Sequence, residues 1–491
     1  MLCEWLLADM HHSAVNAALP LHRQLYESLR RAILQGHLSG GDRLPSSREL
    51  TLDLQLSRNT VMTALNQLSA EGYLVSRVGS GTYVNDQLPS PRRRGGRAAN
   101  AGARLSRRGE ALATQFTSAS LEIQPFTPGV ADFSAFPVAL WQRLQNKHWR
   151  MSYPDMLDYC YSGGHAPLRR AVADYLRVSR SVPLDMDQVI ITSGTQQSLE
   201  LCAQLLADHG DTVWLEDPAY WGAVKAFMAC GLRSHGVLVD ADGMAPTAPD
   251  ERHPPRLIYT TPSHQYPTGA VMSLARRQQL LALAQKHQAW VLEDDYDSEF
   301  RFSGRPMSSL AGLAPDERVL YLGSFSKVLY PGLKLGYLVV PTALAPAFRQ
   351  AHYDLNRPGQ LPLQAALAEF IALGHFASAL RKARHSYAQR RQQLLDALQP
   401  CLGPNAHISG AEQGLHLCLR LPATADDQTL ALRVAQQGLT VRALSAYCLQ
   451  RKDAKGLVIG YGYATLEDIA RWGPVLADTV RRALAVGRKK G

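Results

Sequence analysis

Across residues 124–486 short apolar runs alternate with helical patterns, and few folds accommodate that alternation. Val189-Ile190-Ile191, Val213-Trp214-Leu215, Trp290-Val291-Leu292, Val319-Leu320-Tyr321-Leu322 and Tyr337-Leu338-Val339-Val340 each read as a short buried strand. Strands separated by helices cross over in parallel, which predicts a doubly wound α/β fold with a mostly parallel sheet. Ligands of such sheets bind beyond the carboxyl ends of the strands. The residues that follow each strand are therefore the candidate site.

Four strand ends carry chemistry. Lys327 lies in the loop Gly323-Ser324-Phe325-Ser326-Lys327, between two strands. A lysine there, its pKa lowered by desolvation or a neighbouring cation, can form an imine with an aldehyde. Ser324 and Ser326 can donate to a phosphate, and Lys334 adds positive charge. After Val189–Ile191, Ser193-Gly194-Thr195-Gln196-Gln197 opens a helix, a turn that aims backbone N–H groups at an anion. Glu293-Asp294-Asp295-Tyr296-Asp297 gathers acids whose burial is costly without a cation. Tyr220, in Glu216-Asp217-Pro218-Ala219-Tyr220-Trp221-Gly222, could stack on a planar ring. Each has a plainer alternative: a surface lysine, a capped helix start, salt bridges to Arg301 or Arg305, a core tyrosine.

Residues 19–84 form a separate module. Pro20 suits the first turn of a helix carrying Leu21, Leu25, Leu29, Ala32 and Ile33 on one face. Ser46 with Glu49 makes a capping box for a second helix, and Ser57 caps a third. Val61, Ala64, Leu65 and Leu68 then face inward, leaving Arg58, Asn59, Met62 and Asn66 outward. The strands Tyr73–Val78 and Thr82–Val84 flank Gly79-Ser80-Gly81 as a hairpin. Two short helices and a wing suit the major groove of double-stranded DNA.

Charge agrees. The chain has a net charge of +10, and residues 1–108 hold fourteen Arg, no Lys and eight acids, a surplus of six positive charges. Residues 85–123 lose apolar periodicity and include Arg92-Arg93-Arg94 and Arg97, which reads as a flexible basic linker. Seven scattered Cys without metal-ligand spacing predict reduced thiols in the cytoplasm and no metal site. No stretch is apolar enough to span a bilayer. Residues 1–18 give no reading.

Gln24–Val84 resembles the GntR-type winged helix, through Leu44-Pro45-Ser46-Ser47-Arg48-Glu49-Leu50, Ser57-Arg58-Asn59-Thr60-Val61 and Leu68-Ser69-Ala70-Glu71-Gly72-Tyr73-Leu74. The resemblance implies that Arg43, Arg48, Ser57, Arg58, Asn59, Thr60 and Arg77 meet DNA, with Gly79 and Gly81 at the wing tip. Residues 124–486 resemble the fold-type I pyridoxal-phosphate (PLP) enzymes, through the strand ends above, Tyr159 with Gly164, Pro167-Leu168-Arg169, Thr261–Gly269 and Arg381-x-x-Arg384 with Arg390-Arg391. The combination, and Ser263-His264-Gln265-Tyr266-Pro267-Thr268-Gly269, is similar to the MocR/GabR regulators. That implies a cytoplasmic homodimer working at the bacterial nucleoid, with PLP as cofactor. Lys327 would bind the PLP aldehyde, Asp294 the pyridine nitrogen and Tyr296 the phenolic oxygen, with Tyr220 stacking. Gly194, Thr195, Gln196, Ser324, Ser326 and Lys334 would hold the phosphate, and Tyr159 would reach the partner subunit's phosphate.

The substrate side departs from that pattern. Val458 occupies the slot where aminotransferases place an arginine for the α-carboxylate, and Gly222 the slot of a second arginine in GABA-responsive relatives; Arg442 could substitute. An intact cofactor cradle without an evident amino-acid anchor favours a sensor over an enzyme, with PLP itself as the signal in vitamin B6 metabolism. An amine or amino-acid effector and a working aminotransferase remain as alternatives.

Overall fold

The computed structural model describes residues 2–12, 19–77, 79–87, 104–114, 123–134, 136–151, 154–302, 307–314, 318–403 and 406–487. Val78, Arg305 and most of the basic linker (88–103 and 115–122) lie outside the described residues. Contacts divide the chain into two units, Met1–Arg104 and Leu105–Gly491.

The first unit has helices Leu2–His12, Leu21–Leu34, Ser47–Asp53 and Arg58–Ala70, and a hairpin of β1 (Leu74–Arg77) and β2 (Gly81–Val84). The caps explain the helix starts. The Ser46 hydroxyl accepts from the Glu49 amide while the Glu49 carboxylate accepts from the Ser46 amide, and the Ser57 hydroxyl accepts from the Thr60 amide. Pro20 stands one position earlier than expected, as the cap of a helix that begins at Leu21. Leu25, Leu29, Ala32, Ile33, Val61, Ala64, Leu65 and Leu68 are buried together as the spacing predicts. Leu2–His12 completes this core with Leu6 and Met10, and Asp9 ties it to the second helix through Ser28 and Arg31. Trp5-Leu6-Leu7 are consecutive apolar residues, so sequence periodicity gave no face for this helix.

The second unit contains an eight-stranded sheet of β3 (Val189–Thr192), β4 (Thr212–Asp217), β5 (Arg233–Asp240), β6 (Gly243–Met244), β7 (Leu257–Thr260), β8 (Trp290–Asp295), β9 (Val319–Ser324) and β10 (Gly336–Val339), in the order β3-β10-β9-β8-β7-β4-β5-β6. The ladders from β9 through β8, β7 and β4 to β5 are parallel. β10 is antiparallel to both of its neighbours. Phe325–Leu335 is too short to include a crossover helix, so β10 must return beside β9. Buried Val, Ile, Leu and aromatic residues fill these strands on both faces. A smaller antiparallel sheet follows, ordered β11 (His407–Ser409), β12 (His416–Leu421), β14 (Lys455–Gly460) and β13 (Arg442–Ala443).

A helix not expected from the sequence, Arg107–Ala113, lies inside the stretch read as linker. Ser106 caps its start, and Lys225 Nζ donates to the carbonyls of Ala111, Leu112 and Thr114 at its end. Lys225 belongs to the helix Trp221–Ala229, so the last part of the linker is docked on the large unit. Among the described residues no single helix is long and apolar enough to cross a membrane.

Candidate functional site

In the small unit the helix Arg58–Ala70 presents Arg58 and Asn59 to solvent at its N-terminal end, with Ser57 beside them. Arg48 is exposed on the preceding helix. The Ser57 hydroxyl caps the helix through the Thr60 amide and lies 2.9 Å from the Thr60 hydroxyl, which holds the first turn in place. The wing turns through Gly79 at φ +75° and Gly81 at φ +118°, backbone that a side chain would strain. A Cβ on Gly81 would stand 3.1 Å from Arg43 Nε, so this glycine also admits the Arg43 guanidinium. The Arg77 guanidinium sits 4.8 Å from the Tyr83 ring centre. Arg43, Arg77 and the two glycines thus form one exposed basic edge.

The large unit has a cavity of about 360 Å³ at the carboxyl ends of β4, β7, β8 and β9. Thr195, Tyr220, Asp294, Tyr296, Ser324 and Lys327, six residues singled out in the sequence, line it together. Lys327 Nζ donates to the Gly129 carbonyl at 2.6 Å. Burial lowers the Lys327 pKa; Asp297 and Asp294 oppose that shift, and Arg442 adds to it. The lysine is thereby brought closer to the neutral, nucleophilic form.

Asp294 ends β8. One of its oxygens accepts from the Tyr259 hydroxyl at 2.8 Å, while Oδ1 is buried without any partner. Burial pushes this carboxyl up to about 7, and the neighbouring acids Asp295, Glu216 and Asp297 add to the shift. The other acids have partners of their own. Glu293 accepts from the Leu310 and Ala311 amides, Asp295 from Tyr321 and beside Arg180 at 2.8 Å, and Asp297 pairs with His264. Asp295 also keeps one buried oxygen, Oδ1, without a partner, but of these acids Asp294 is the one that lines the cavity.

Gly194, at φ +92°, begins the helix Thr195–Leu206 without a side-chain cap, leaving first-turn N–H groups at the Thr195 end of the cavity. The Ser324 hydroxyl accepts from the Ser326 amide at 3.2 Å. Gln196 Nε2 donates to the Tyr220 hydroxyl at 3.2 Å. The Tyr296 hydroxyl donates to the His264 carbonyl at 3.0 Å. Gly194, Gln196, Ser326 and Lys334 are not in the cavity wall; Lys334 is exposed, in a left-handed turn at φ +50°. Tyr159 is exposed beside a second cavity of about 700 Å³ that it shares with Ser193, Gln197 and His352.

The opposite wall was largely invisible in the sequence. Tyr259, Thr261, Tyr266 and the Thr127–Val130 loop line it, and the Tyr266 hydroxyl meets the Tyr447 hydroxyl at 3.0 Å. Arg442 on β13 also lines the cavity, directly across from Val458 on β14. Its Nε is buried without a partner; burial works against its charge, but the Tyr447 and Tyr266 hydroxyls beside it outweigh that and raise its pKa. At Gly222 a Cβ would lie 2.3 Å from Gln196 Nε2 and 2.4 Å from the Tyr220 ring, so glycine here is what lets Tyr220 fold over the site.

Comparison with known proteins agrees with this arrangement. A family model described as aminotransferase class I and II matches residues 137–452, and one described as bacterial regulatory proteins, gntR family, matches residues 21–84. The chain is 40% identical to the probable rhizopine catabolism regulatory protein MocR of Rhizobium meliloti, over 91% of each chain. It is 33% identical to the HTH-type pyridoxine biosynthesis transcriptional regulator PdxR of Corynebacterium glutamicum, over 94% of this chain and 96% of that one. Among solved structures it resembles LysN, an α-aminoadipate aminotransferase from Thermus thermophilus complexed with N-(5'-phosphopyridoxyl)-L-leucine. That similarity has a TM-score of 0.70 at 26% identity and covers 78% of this chain and 98% of that one. A GntR DNA-binding unit fused to a fold-type I aminotransferase-like unit places the chain in the MocR/GabR family of GntR-type transcriptional regulators.

Proposed function

We propose that the large unit binds PLP and that PLP occupancy sets the affinity of a homodimer for its operator. The observation that carries this reading is the buried, unpartnered Oδ1 of Asp294 in the same cavity as the Lys327 amine. A pyridine N–H fills that gap, and a protonated pyridine supplies the cation that a buried carboxylate needs. PLP brings an aldehyde for an amine, a phosphate and a ring nitrogen. Thr195, Ser324 and the helix start at Gly194 suit the phosphate, with Lys334 contributing long-range charge. Tyr220 covers the ring, and Tyr159 serves the second subunit of the dimer. Arg43, Arg48, Arg58, Asn59 and Arg77 meet DNA from the winged helix.

The regulated process in this reading is vitamin B6 supply, with PLP as the effector; the name of the PdxR relative supports it. PLP must favour one of two arrangements of the DNA-binding units, because a ligand that binds both equally shifts neither. A second reading is favoured by Arg442: its unpartnered Nε makes the cavity suited to an amine that carries an acid group, with PLP as coeffector.

Fluorescence anisotropy with DNA from upstream of the protein's own gene, at fixed salt, tests both. A PLP-dependent change lost in Lys327→Ala supports the first reading. Binding indifferent to PLP alone but altered by PLP with one acidic amine supports the second. Steady turnover of an amino donor with an oxo acid would instead make the protein an aminotransferase.

A further inference from the structure

Beneath the cavity, His264 occupies a socket with no counterpart among the cofactor contacts. His264 Nδ1 lies 2.9 and 3.2 Å from the two oxygens of Asp297, and both side chains are buried. A carboxylate accepts, so Nδ1 carries the proton. The His416 ring packs 4.8 Å away, and its Nε2 lies 3.2 Å from the Pro267 carbonyl, which fixes the proton there too. His264 Nε2 and His416 Nδ1 are left as buried nitrogens without partners. Glycines make the room: a Cβ at Gly414 would stand 2.1 Å from His264 Cε1 and 2.6 Å from Asp297 Oδ2, and at Gly269 it would stand 3.2 Å from His264 Nε2.

An apolar side chain would fill this socket without stranding two nitrogens, so filling the core does not explain it. The socket reaches the cavity through Tyr296, which lines it. The Tyr296 hydroxyl donates to the His264 carbonyl at 3.0 Å and lies 3.3 Å from Nδ1. The Asp297 charge acts on Lys327. The loop Thr261–Gly269 that carries His264 is itself held, because Glu216 accepts from the Thr260 hydroxyl at 2.6 Å and the Thr261 hydroxyl at 2.7 Å.

We propose that His264 and Asp297 are positioning residues for cofactor capture: Asp297 orients the imidazole through Nδ1, the His264 carbonyl and Nδ1 hold the Tyr296 hydroxyl, and the Asp297 carboxylate stands behind the Lys327 nitrogen as a counter-charge. The inference rests on PLP binding at Lys327. The charged and titratable groups facing these residues are few. Lys327 faces Asp297, Asp294, Arg442 and His416; His264 faces Asp297, Tyr296 and His416; Asp297 also faces Asp295, Tyr296 and Tyr461. Removing the Asp297 charge takes away an attraction for the protonated nitrogen, so that nitrogen becomes more acidic.

The test is a pH titration of the visible absorbance of PLP bound to full-length protein. Asp297→Asn is expected to lower the midpoint by about one pH unit, a tenfold change in the proton equilibrium. His264→Phe is expected to move it by about half a unit or more, and His264→Gln, which keeps an N–H for Asp297, to restore most of that shift. Borohydride fixation of PLP to each variant and the melting temperature are measured alongside. If all variants fix PLP and their midpoints stay at the wild-type value, the socket is only structural and the proposal is overturned. Wild-type protein that fixes no PLP would overturn both this proposal and the reading of the cavity. Should Asp297→Asn not fold, the two His264 variants decide. His264, Asp297 and His416 each offer a ligand atom within 4.8 Å of the others. Stoichiometric Co²⁺ uptake lost in His416→Ala would therefore also overturn the proposal, in favour of a metal site.

Discussion

The two units hold their functional charges in opposite ways. On the winged helix, Arg43, Arg48, Arg58 and Arg77 stand in water. In the cavity, Asp294, Lys327 and Arg442 are withdrawn from it, and burial moves Asp294 up and Lys327 down. Exposed charges act by number and are screened by salt. Buried charges act singly, because each has few partners and no solvent to replace a lost one. The surface can therefore lose one arginine and keep working, whereas the cavity depends on each of its groups.

The largest effect should come from the cavity amine. Lys327→Ala should abolish borohydride-stable attachment of PLP, read by mass spectrometry of the intact chain, while leaving operator affinity without PLP at the wild-type level. Next comes Asp294→Ala, expected to weaken PLP binding about a hundredfold, an effect of roughly 3 kcal/mol. Asp294 also gives the contrast a pH signature. Its folded-state value, about 7, lies above the ordinary 3.8. An acid shifted in that direction contributes stability below its unfolded value, and that contribution is lost as pH rises through its folded value. Cofactor-free protein should thus lose melting temperature between about pH 4 and about pH 7, and Asp294→Asn should flatten that slope.

Arg442→Ala should leave PLP binding unchanged and weaken the response to an acidic amine by about tenfold to a hundredfold, measured as a spectral titration. Arg58→Ala should weaken operator binding by only about tenfold and reduce the slope of log affinity against log salt by about one. A hundredfold loss at Arg58 that salt does not change would break the contrast, since it would mean a desolvated base contact. Smallest is Lys225→Ala. Removing the donor to three carbonyls at the end of Arg107–Ala113 should cost about 1 kcal/mol or less, seen as faster amide exchange confined to that helix.

The sequence revealed best what is fixed by neighbours along the chain. Ser46 with Glu49 and Ser57 with Thr60 are caps within four residues, and both form as read. The strand ends at Thr195, Asp294 and Lys327 converge because a parallel sheet aligns them. What stayed hidden depends on contacts across hundreds of residues or on cavity shape. Gly129 reaches Lys327 from 198 positions away, and Arg442, named in the sequence only as a possible substitute anchor, reaches the cavity through the second sheet. Gln196 stands in the helix start as read, and the contact of its side-chain amide with the Tyr220 hydroxyl is what its place in the sequence did not show. The helix Arg107–Ala113 was hidden because its docking rests on Lys225 and not on an apolar face of its own.

Gly222 has a consequence for how this site could change its ligand over generations. The Tyr220 ring and the Gln196 amide already occupy the space that any side chain at position 222 would need. A single substitution there would displace the aromatic cover before it could bring in a new specificity, so a lineage attempting it would pass through a form with the cofactor ring uncovered. Arg442 Nε is still without a partner, which makes the β13 wall the more open route for acquiring new effectors one mutation at a time.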